Sequence, residues 1–284
     1  MSLKKQAVSG MIWTYSQQFG SQFLTFLVSI VLARLLLPQE FGLIGMLAIF
    51  IGIGTALFDG GLTSSLIRSK QLDEEDYSTV FYFNLVCSII LYIILFIAAP
   101  FIAQFYEQPT LTDITRVYGL TFIIAAFGTV QNTILTRELQ FKKQALITFP
   151  AMLLGGIVGI IMAYMGYGVW SLVVSALVNA FFISLFLWLS TAWYPKFIFN
   201  KIKFHEHFHY GYKLTLSGVL DITFTNIYQI VIGKFYSVAQ VGYYTRANSL
   251  MMLPVGNISG ALNKVIFPVF SKVQDDIPRL RSVY

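Results

Sequence analysis

The sequence predicts an all-helical integral membrane bundle of about eight spans, and three observations carry that prediction. Of 284 residues, 56% are apolar and only 11% charged, with a mean hydropathy of +0.70, whereas a soluble domain carries about 25% charge. The few charges are separated by intervals long enough for a membrane helix, which needs about 20 apolar residues. Basic residues fall in alternate intervals, as they do in multi-pass proteins. A water-soluble enzyme or binding module is excluded, because so little polar surface could not cover a chain of this size.

The spans follow in order. Between Lys5 and Arg34 lie 28 uncharged residues, which hold the first. Phe41 to Ile67 is apolar except for Asp59 and holds the second. The 30 uncharged residues between Asp76 and Glu107 and the 20 between Arg116 and Arg137 hold the third and fourth. A run of 52 uncharged residues from Gln144 to Pro195 is interrupted by Tyr164-Met165-Gly166-Tyr167-Gly168, a turn with interfacial aromatics, and therefore holds two more. Leu214 to Gly233, apolar except for Asp221, holds the seventh. Val241 to Phe267, with Arg246, Pro254 and three glycines, has the weakest hydropathy and is the eighth.

With the N-terminus inside, fifteen of the 19 basic residues fall on the cytoplasmic side, among them Lys4, Arg68, Arg137, Lys196 and Lys264. Arg34, Arg116, Lys234 and Arg246 fall on the outer side. The net charge of +6 has the same origin. Its basic residues are dispersed among short loops, so no nucleic-acid partner is expected and membrane lipids are. The apolar run after Lys5 is too long for a signal-peptide core, so the first span is expected to stay in the mature protein. Cys87 is the single cysteine, mid-span, and is expected to serve packing.

The chain repeats itself with a shift of 200 residues and no gap. Ile30-Val31-Leu32-Ala33-Arg34 lies over Ile230-Val231-Ile232-Gly233-Lys234, Gly42 over Gly242, Gly60 over Gly260 and Leu62 over Leu262. The polar positions of the first helix map onto the seventh, Gln17 on Ser217, Ser21 on Asp221, Thr25 on Thr225 and Ser29 on Gln229. At 100° per residue Gln18, Ser21, Gln22, Thr25 and Ser29 form one stripe, and Ser217, Asp221, Thr225 and Gln229 another. Single hydroxyls of this kind mediate helix packing. The amides of Gln17, Gln18 and Gln22 together point to a water-filled cavity. Six spans precede the second unit and two follow it, so a six-helix lobe over residues 1–194, a cytoplasmic amphipathic linker over 195–213 and the start of a second lobe over 214–284 are expected. The second lobe is expected to be truncated, with at least four more spans beyond Tyr284.

At Ala33-Arg34-Leu35-Leu36-Leu37-Pro38-Gln39-Glu40-Phe41-Gly42, then Phe58-Asp59-Gly60-Gly61-Leu62 and Leu66-Ile67-Arg68, the chain resembles the polysaccharide-export flippases of the multidrug/oligosaccharidyl-lipid/polysaccharide superfamily, in the Wzx, WzxC and TuaB branch. Val241-Gly242-Tyr243-Tyr244-Thr245-Arg246-Ala247 and Phe267-Pro268-Val269-Phe270-Ser271 carry the same resemblance in the second repeat. It implies a two-lobe helical bundle of the MATE type in the bacterial inner membrane, with a central cavity open alternately to either face. It implies as substrate an undecaprenyl-pyrophosphate-linked oligosaccharide, moved outward for lipopolysaccharide or other surface polysaccharide. It further implies coupling to a proton or sodium gradient without a bound cofactor, and other polysaccharide-assembly proteins as partners. A drug exporter of the same superfamily is the alternative.

A lipid pyrophosphate cannot cross hydrocarbon unaided, because desolvating its charge costs many kcal/mol. Arg suits phosphate through its forked donors and Lys as a point charge. Arg34, Lys234 and Arg246 are therefore the candidates for the pyrophosphate. The plainer reading of Arg34, four residues before Pro38, is snorkelling to the outer interface. Asp59, Asp221, Gln18 and Gln22 are candidates for the cavity or for ion coupling, the acids having helix–helix hydrogen bonding as their plainer role. Asn84, Gln131, Asn132 and Asn179 are read as packing amides.

His205-Glu206-His207-Phe208-His209 contains H-E-x-x-H, the spacing of a helical zinc protease site. All three histidines of the chain lie here, so a third ligand would have to be a distant carboxylate, and a metalloprotease is the disfavoured reading. Phe197, Phe199, Ile202 and Phe204 are spaced as an interfacial segment, which places the histidines on the headgroups. Asp73-Glu74-Glu75-Asp76 reads as a solvated helix start. No phosphate loop follows a strand pattern, and with the histidines confined to the linker no Ser/His/Asp site is expected, so the chain is read as a transporter without catalytic or metal residues.

Overall fold

In the computed structural model, residues 3–69 and 71–252 are described, with side chains from Phe19 onward. Among these residues the chain is helical, without strands. Its helices are α1 (Leu3–Leu35), α2 (Pro38–Asp59), α3 (Leu62–Arg68), α4 (Glu74–Phe105), α5 (Leu111–Tyr118), α6 (Leu120–Arg137), α7 (Phe141–Tyr164), α8 (Trp170–Ser190) and α9 (Lys201–Phe235). A further helix, α10, occupies 238–252.

Six segments are long and apolar enough to cross a membrane: α2, α4, α5 with α6, α7, α8 and α9. The shorter apolar stretch Phe19–Leu35 of α1 adds a seventh. The later part of the eighth expected span lies outside the described residues. The chain is thus a multi-pass membrane protein. The elements end where local chemistry requires. Pro38 opens α2 with its fixed φ, and the Glu40 carboxylate accepts the Leu37 N–H at 2.7 Å. α2 stops at Gly60 and Gly61, with φ of 57° and 67°. Asp73 caps α4, accepting from the N–H groups of Glu75 and Asp76, each at 3.0 Å.

α1 packs on α7, α7 on α8, α8 on α6 and α6 on α4, while α2 runs against α4, α6 and α9. The largest core cluster includes Met46, Leu47, Leu111, Ile114, Phe122, Val173 and, from α10, Val241. The 200-residue shift is exact in the structure. α1 ends at Leu35 and α9 at Phe235, and α2 and α10 start at positions 38 and 238. The Leu37–Glu40 cap has its counterpart in Gln240, whose Oε1 accepts the Ser237 N–H at 3.1 Å.

The two copies cross at their glycines. A Cβ on Gly42 would run into the Val238 carbonyl, and one on Gly242 into the Pro38 carbonyl, the same contact shifted by 200 residues. A pseudo-two-fold relation between the repeats accounts for this, since residue i of one then meets residue j of the other and j meets i.

The expected boundary at residues 213/214 does not fall at a break in the backbone. Residues 191–200 form a non-helical strap, and Lys201–Phe235 is one continuous helix of 35 residues. At 1.5 Å per residue it is roughly 50 Å long, against about 30 Å of hydrocarbon. The strap is held on the start of α4. Ser78 Oγ accepts the Lys196 N–H at 3.1 Å and Thr79 Oγ1 the Asn200 N–H at 3.0 Å. Phe197 on it is fully exposed and stacks on Tyr82 at 5.7 Å.

Candidate functional site

The polar stripe of α1 leads to the first site. Thr25 and Ser29 line a cleft of about 240 Å³ together with Ser175 and Asn179 of α8 and Arg246 of α10. Arg246 lies two turns into α10, where its guanidinium donates to Ser29 Oγ at 2.7 Å and stacks 3.6 Å over the Phe41 ring. Its Nε is buried without a partner, as is Asn179 Oδ1. A buried guanidinium edge with an unused donor beside hydroxyls and an amide has the hydrogen-bonding chemistry that an oxyanion would need. Asn179, read from the sequence as a packing amide, also borders a second cleft of about 580 Å³, with Thr129, Asn132, Thr136, Gln144 and Thr148.

The other sequence candidates disperse. Arg34 is exposed in the last turn of α1. Lys234 donates to the Phe105 carbonyl at 2.9 Å, at the C-terminal end of α4, and pairs with Glu107 at 3.2 Å. Favourable placement of a cation at a helix C-terminus explains that position. Asp59 accepts from Thr63 Oγ1 at 2.9 Å at the α2–α3 break, and its other oxygen is buried without a partner. Asp221 is exposed on α9, and Gln22 is half-buried on α1. Gln18 lies outside the described side chains.

Arg68, Arg137, Lys196 and Lys203 gather around the starts of α4 and α9. Arg137 donates to Tyr77 Oη at 2.7 Å and to the Ser69 carbonyl at 3.0 Å. Lys196 pairs with Glu74 at 3.5 Å, and Arg68 stacks 4.5 Å over Tyr210. Here the structure corrects two expectations. Asp76, expected in solvent, is 2% exposed, and His207, expected on the headgroups, is 3% exposed. His207 Nε2 lies 3.0 Å from Asp76 Oδ1, its Nδ1 lies 2.9 Å from Ser65 Oγ, and Lys203 Nζ reaches Asp76 Oδ2 at 3.1 Å.

A Ser/His/Asp constellation therefore exists where none was expected. All three side chains are shut off from solvent, so no substrate could reach the serine oxygen, and the cluster is not a hydrolytic site. His205 and His209 stand on the opposite, exposed face of α9. Among the described residues no group of three metal-binding side chains comes together. Replacing both His205 and His209 with alanine is expected to change protein level and activity less than twofold, whereas His207→Ala lowers the thermal midpoint measurably.

Outside the spanning segments, Asp73 is held below the ordinary carboxylate value, chiefly by the Asp76 backbone N–H that donates to it. A lowered value in the folded state stabilises the fold above the unfolded carboxyl's pKa, and that contribution is lost as pH falls through the lowered one. Asp73→Ala is expected to cost about 1 kcal/mol at neutral pH. The difference from wild type in thermal unfolding should shrink on acidification.

A family model described as polysaccharide biosynthesis protein matches residues 31–284. The chain is 24% identical over 267 residues to the succinoglycan biosynthesis transport protein ExoT of Rhizobium meliloti (strain 1021), covering 94% of this chain and 54% of that one. It is 24% identical over 287 residues to the lipopolysaccharide biosynthesis protein WzxC of Escherichia coli (strain K12), covering 99% and 58%. It is 25% identical over 273 residues to the teichuronic acid biosynthesis protein TuaB of Bacillus subtilis (strain 168), covering 95% and 56%. The chain thus spans just over half the length of these curated relatives. Among solved structures it is similar to a multidrug resistance MATE family transporter of the MOP superfamily in an inward-facing conformation. The TM-score is 0.65 at 21% identity, over 92% of this chain and 64% of the other, a likeness of fold.

Proposed function

The chain belongs to the polysaccharide biosynthesis protein family, and from that premise we propose that it is the first lobe and the start of the second of a transporter. It is not an enzyme, and it moves undecaprenyl-pyrophosphate-linked oligosaccharide outward across the bacterial inner membrane by alternating access. The N-terminus is cytoplasmic, as is the end at which Arg68, Arg137, Lys196 and Lys203 meet. The first lobe runs to the strap of residues 191–200, and the second opens with α9, the counterpart of α1, which takes in the later part of the linker expected over 195–213.

The observation that carries this reading is Arg246, a half-buried guanidinium with an unpartnered Nε beside a cleft lined by hydroxyls and an amide. A pyrophosphate offers oxygens to the guanidinium edge, and sugar hydroxyls suit the Thr, Asn and Gln side chains of the adjoining cleft. Arg34 and Lys234 stand at the outer rim, where the pyrophosphate departs. Asp59 and Asp221, with Gln18 and Gln22, are the groups through which a proton or sodium gradient would act. Other polysaccharide-assembly proteins deliver and remove the lipid-linked units.

Deleting the gene in the source bacterium tests this reading. Loss of surface polysaccharide, with lipid-linked units building up in the inner membrane and both effects reversed by the full-length gene, is the expected result. Unchanged surface polysaccharide would overturn it.

A further inference from the structure

Where α9 and α10 of the second repeat meet α2, α3 and α4 of the first, the two ends of the seam are held by different means. At the Pro38 end the glycines Gly42 and Gly242 bring backbones together, and the Lys234–Glu107 pair beside them is exposed, its carboxylate 82% so. At the basic end Gly61 and Gly211 meet backbone to backbone, and next to them lies a quartet: Ser65, Asp76 and His207 are buried, and the half-buried Lys203 closes the cluster at its rim, pairing with Asp76 and with the exposed Asp73. Ser65 and Asp76 come from α3 and α4 of the first repeat. Lys203 and His207 come from α9, the 200-residue counterpart of α1 and the opening helix of the second.

We propose that this quartet is a latch that holds the basic end of the seam shut, so that this end opens only when α9 lifts from α3 and α4. The inference rests on the alternating-access reading above. A buried polar network has two acceptable arrangements, fully paired in a closed seam or fully hydrated in an open one, and a half-open seam strands its donors and acceptors. An apolar seam of the same shape would close as well but would expose hydrocarbon-like surface to water on opening. The polar quartet therefore makes the contact reversible and all-or-none. The exposed pair at the far end, already hydrated, sets no such threshold.

The test uses the full-length protein in membranes, with Cys87 replaced by serine and Arg68→Cys and Tyr210→Cys introduced as reporters where the native side chains stack. A short, reducible bifunctional thiol reagent links the two reporters, and the yield of this cross-link and the labelling of the cysteines by a membrane-impermeant maleimide are read in parallel with polysaccharide export. With the quartet intact, the cross-link is expected to form in most molecules and to stop export until reduced. Asp76→Asn and, separately, His207→Asn should lower the yield several-fold and raise labelling to match. The pair Asp76→Leu with His207→Leu should keep the yield high and lose export.

Unchanged yield and labelling in both asparagine variants would overturn the latch, as would undiminished export by the cross-linked protein. If a variant fails to reach the membrane, cross-linking and reductive release of the reporter pair on the native quartet still decides. Yield and labelling do not depend on the cargo. A latch response without any effect of gene deletion on polysaccharide would therefore reject the proposed substrate and leave the latch standing.

Discussion

Gly42→Ala and Gly242→Ala will each sharply lower the amount of folded protein in the membrane, and by similar factors. Each new methyl would meet a carbonyl oxygen of the opposite repeat, Val238 for the first and Pro38 for the second. A backbone carbonyl at a helix start cannot move aside as a side chain can, so relief requires the two repeats to separate. Overpacking of a tight contact costs about 1–3 kcal/mol, a large share of the stability of an ordinary fold.

Gly45 provides the contrast, because a Cβ there would meet the Thr245 side-chain hydroxyl. Gly45→Ala should therefore be largely rescued by Thr245→Ala, a coupling that a double-mutant cycle detects. No trimming of the Val238 side chain should rescue Gly42→Ala. Thermal unfolding of detergent-purified protein checks all of these. Rescue of Gly42→Ala by Val238→Ala would show that the helices do not cross at the backbone.

Arg246→Ala will have the largest effect on function while leaving protein level within about twofold of wild type. The substitution removes one hydrogen bond to Ser29 and the stacking on Phe41, and among the described residues no other charged side chain lines the cleft. A charge-assisted hydrogen bond contributes about 1.5–3 kcal/mol, which corresponds to a loss of export of roughly 10- to 100-fold. Arg246→Lys keeps the charge without the planar fork and should fall between the two. Arg34→Ala and Lys234→Ala should each cost less than about threefold, because one is exposed and the other is engaged with the Phe105 carbonyl and Glu107. Export measured in a complemented deletion strain ranks the four variants.

What the sequence made legible follows the range of the interactions. Spans and the helix start at Asp73–Asp76 are local and follow from spacing, whereas the break at Gly60-Gly61, which divides the expected span Phe41–Ile67 into α2 and α3, is set by two left-handed glycines that hydropathy does not register. The repeat was legible because it copies these local features, including Glu40 onto Gln240. Thr25 and Ser29 were placed correctly on one stripe because helical periodicity is a local rule. Arg246 is a candidate cation in the sequence as well, but its pairing with Ser29, 217 positions away, depends on α10 crossing α1 and has no local signature.

The Ser65–His207–Asp76 cluster was hidden for the same reason, since its members are joined across more than 130 residues. H-E-x-x-H drew attention to His205 and His209, one turn apart on the exposed face, and away from His207 on the other side of the helix. A signal was nonetheless present. Asp76 lies three residues after a capping aspartate and Lys203 four before His207, so each helix start carried a charged residue on the side facing the bundle.

The most direct measurement of the central claim is the leaflet distribution of the lipid-linked oligosaccharide. Vesicles of known orientation, loaded with that lipid on the cytoplasmic leaflet, would contain either the full-length protein or its Arg246→Ala variant, with an impermeant glycosidase acting on the opposite leaflet. Wild-type protein should expose the oligosaccharide to the glycosidase at least tenfold faster than the variant or protein-free vesicles. Equal exposure in wild-type and Arg246→Ala vesicles would contradict the role given to Arg246, and no exposure above protein-free vesicles would contradict the transport itself.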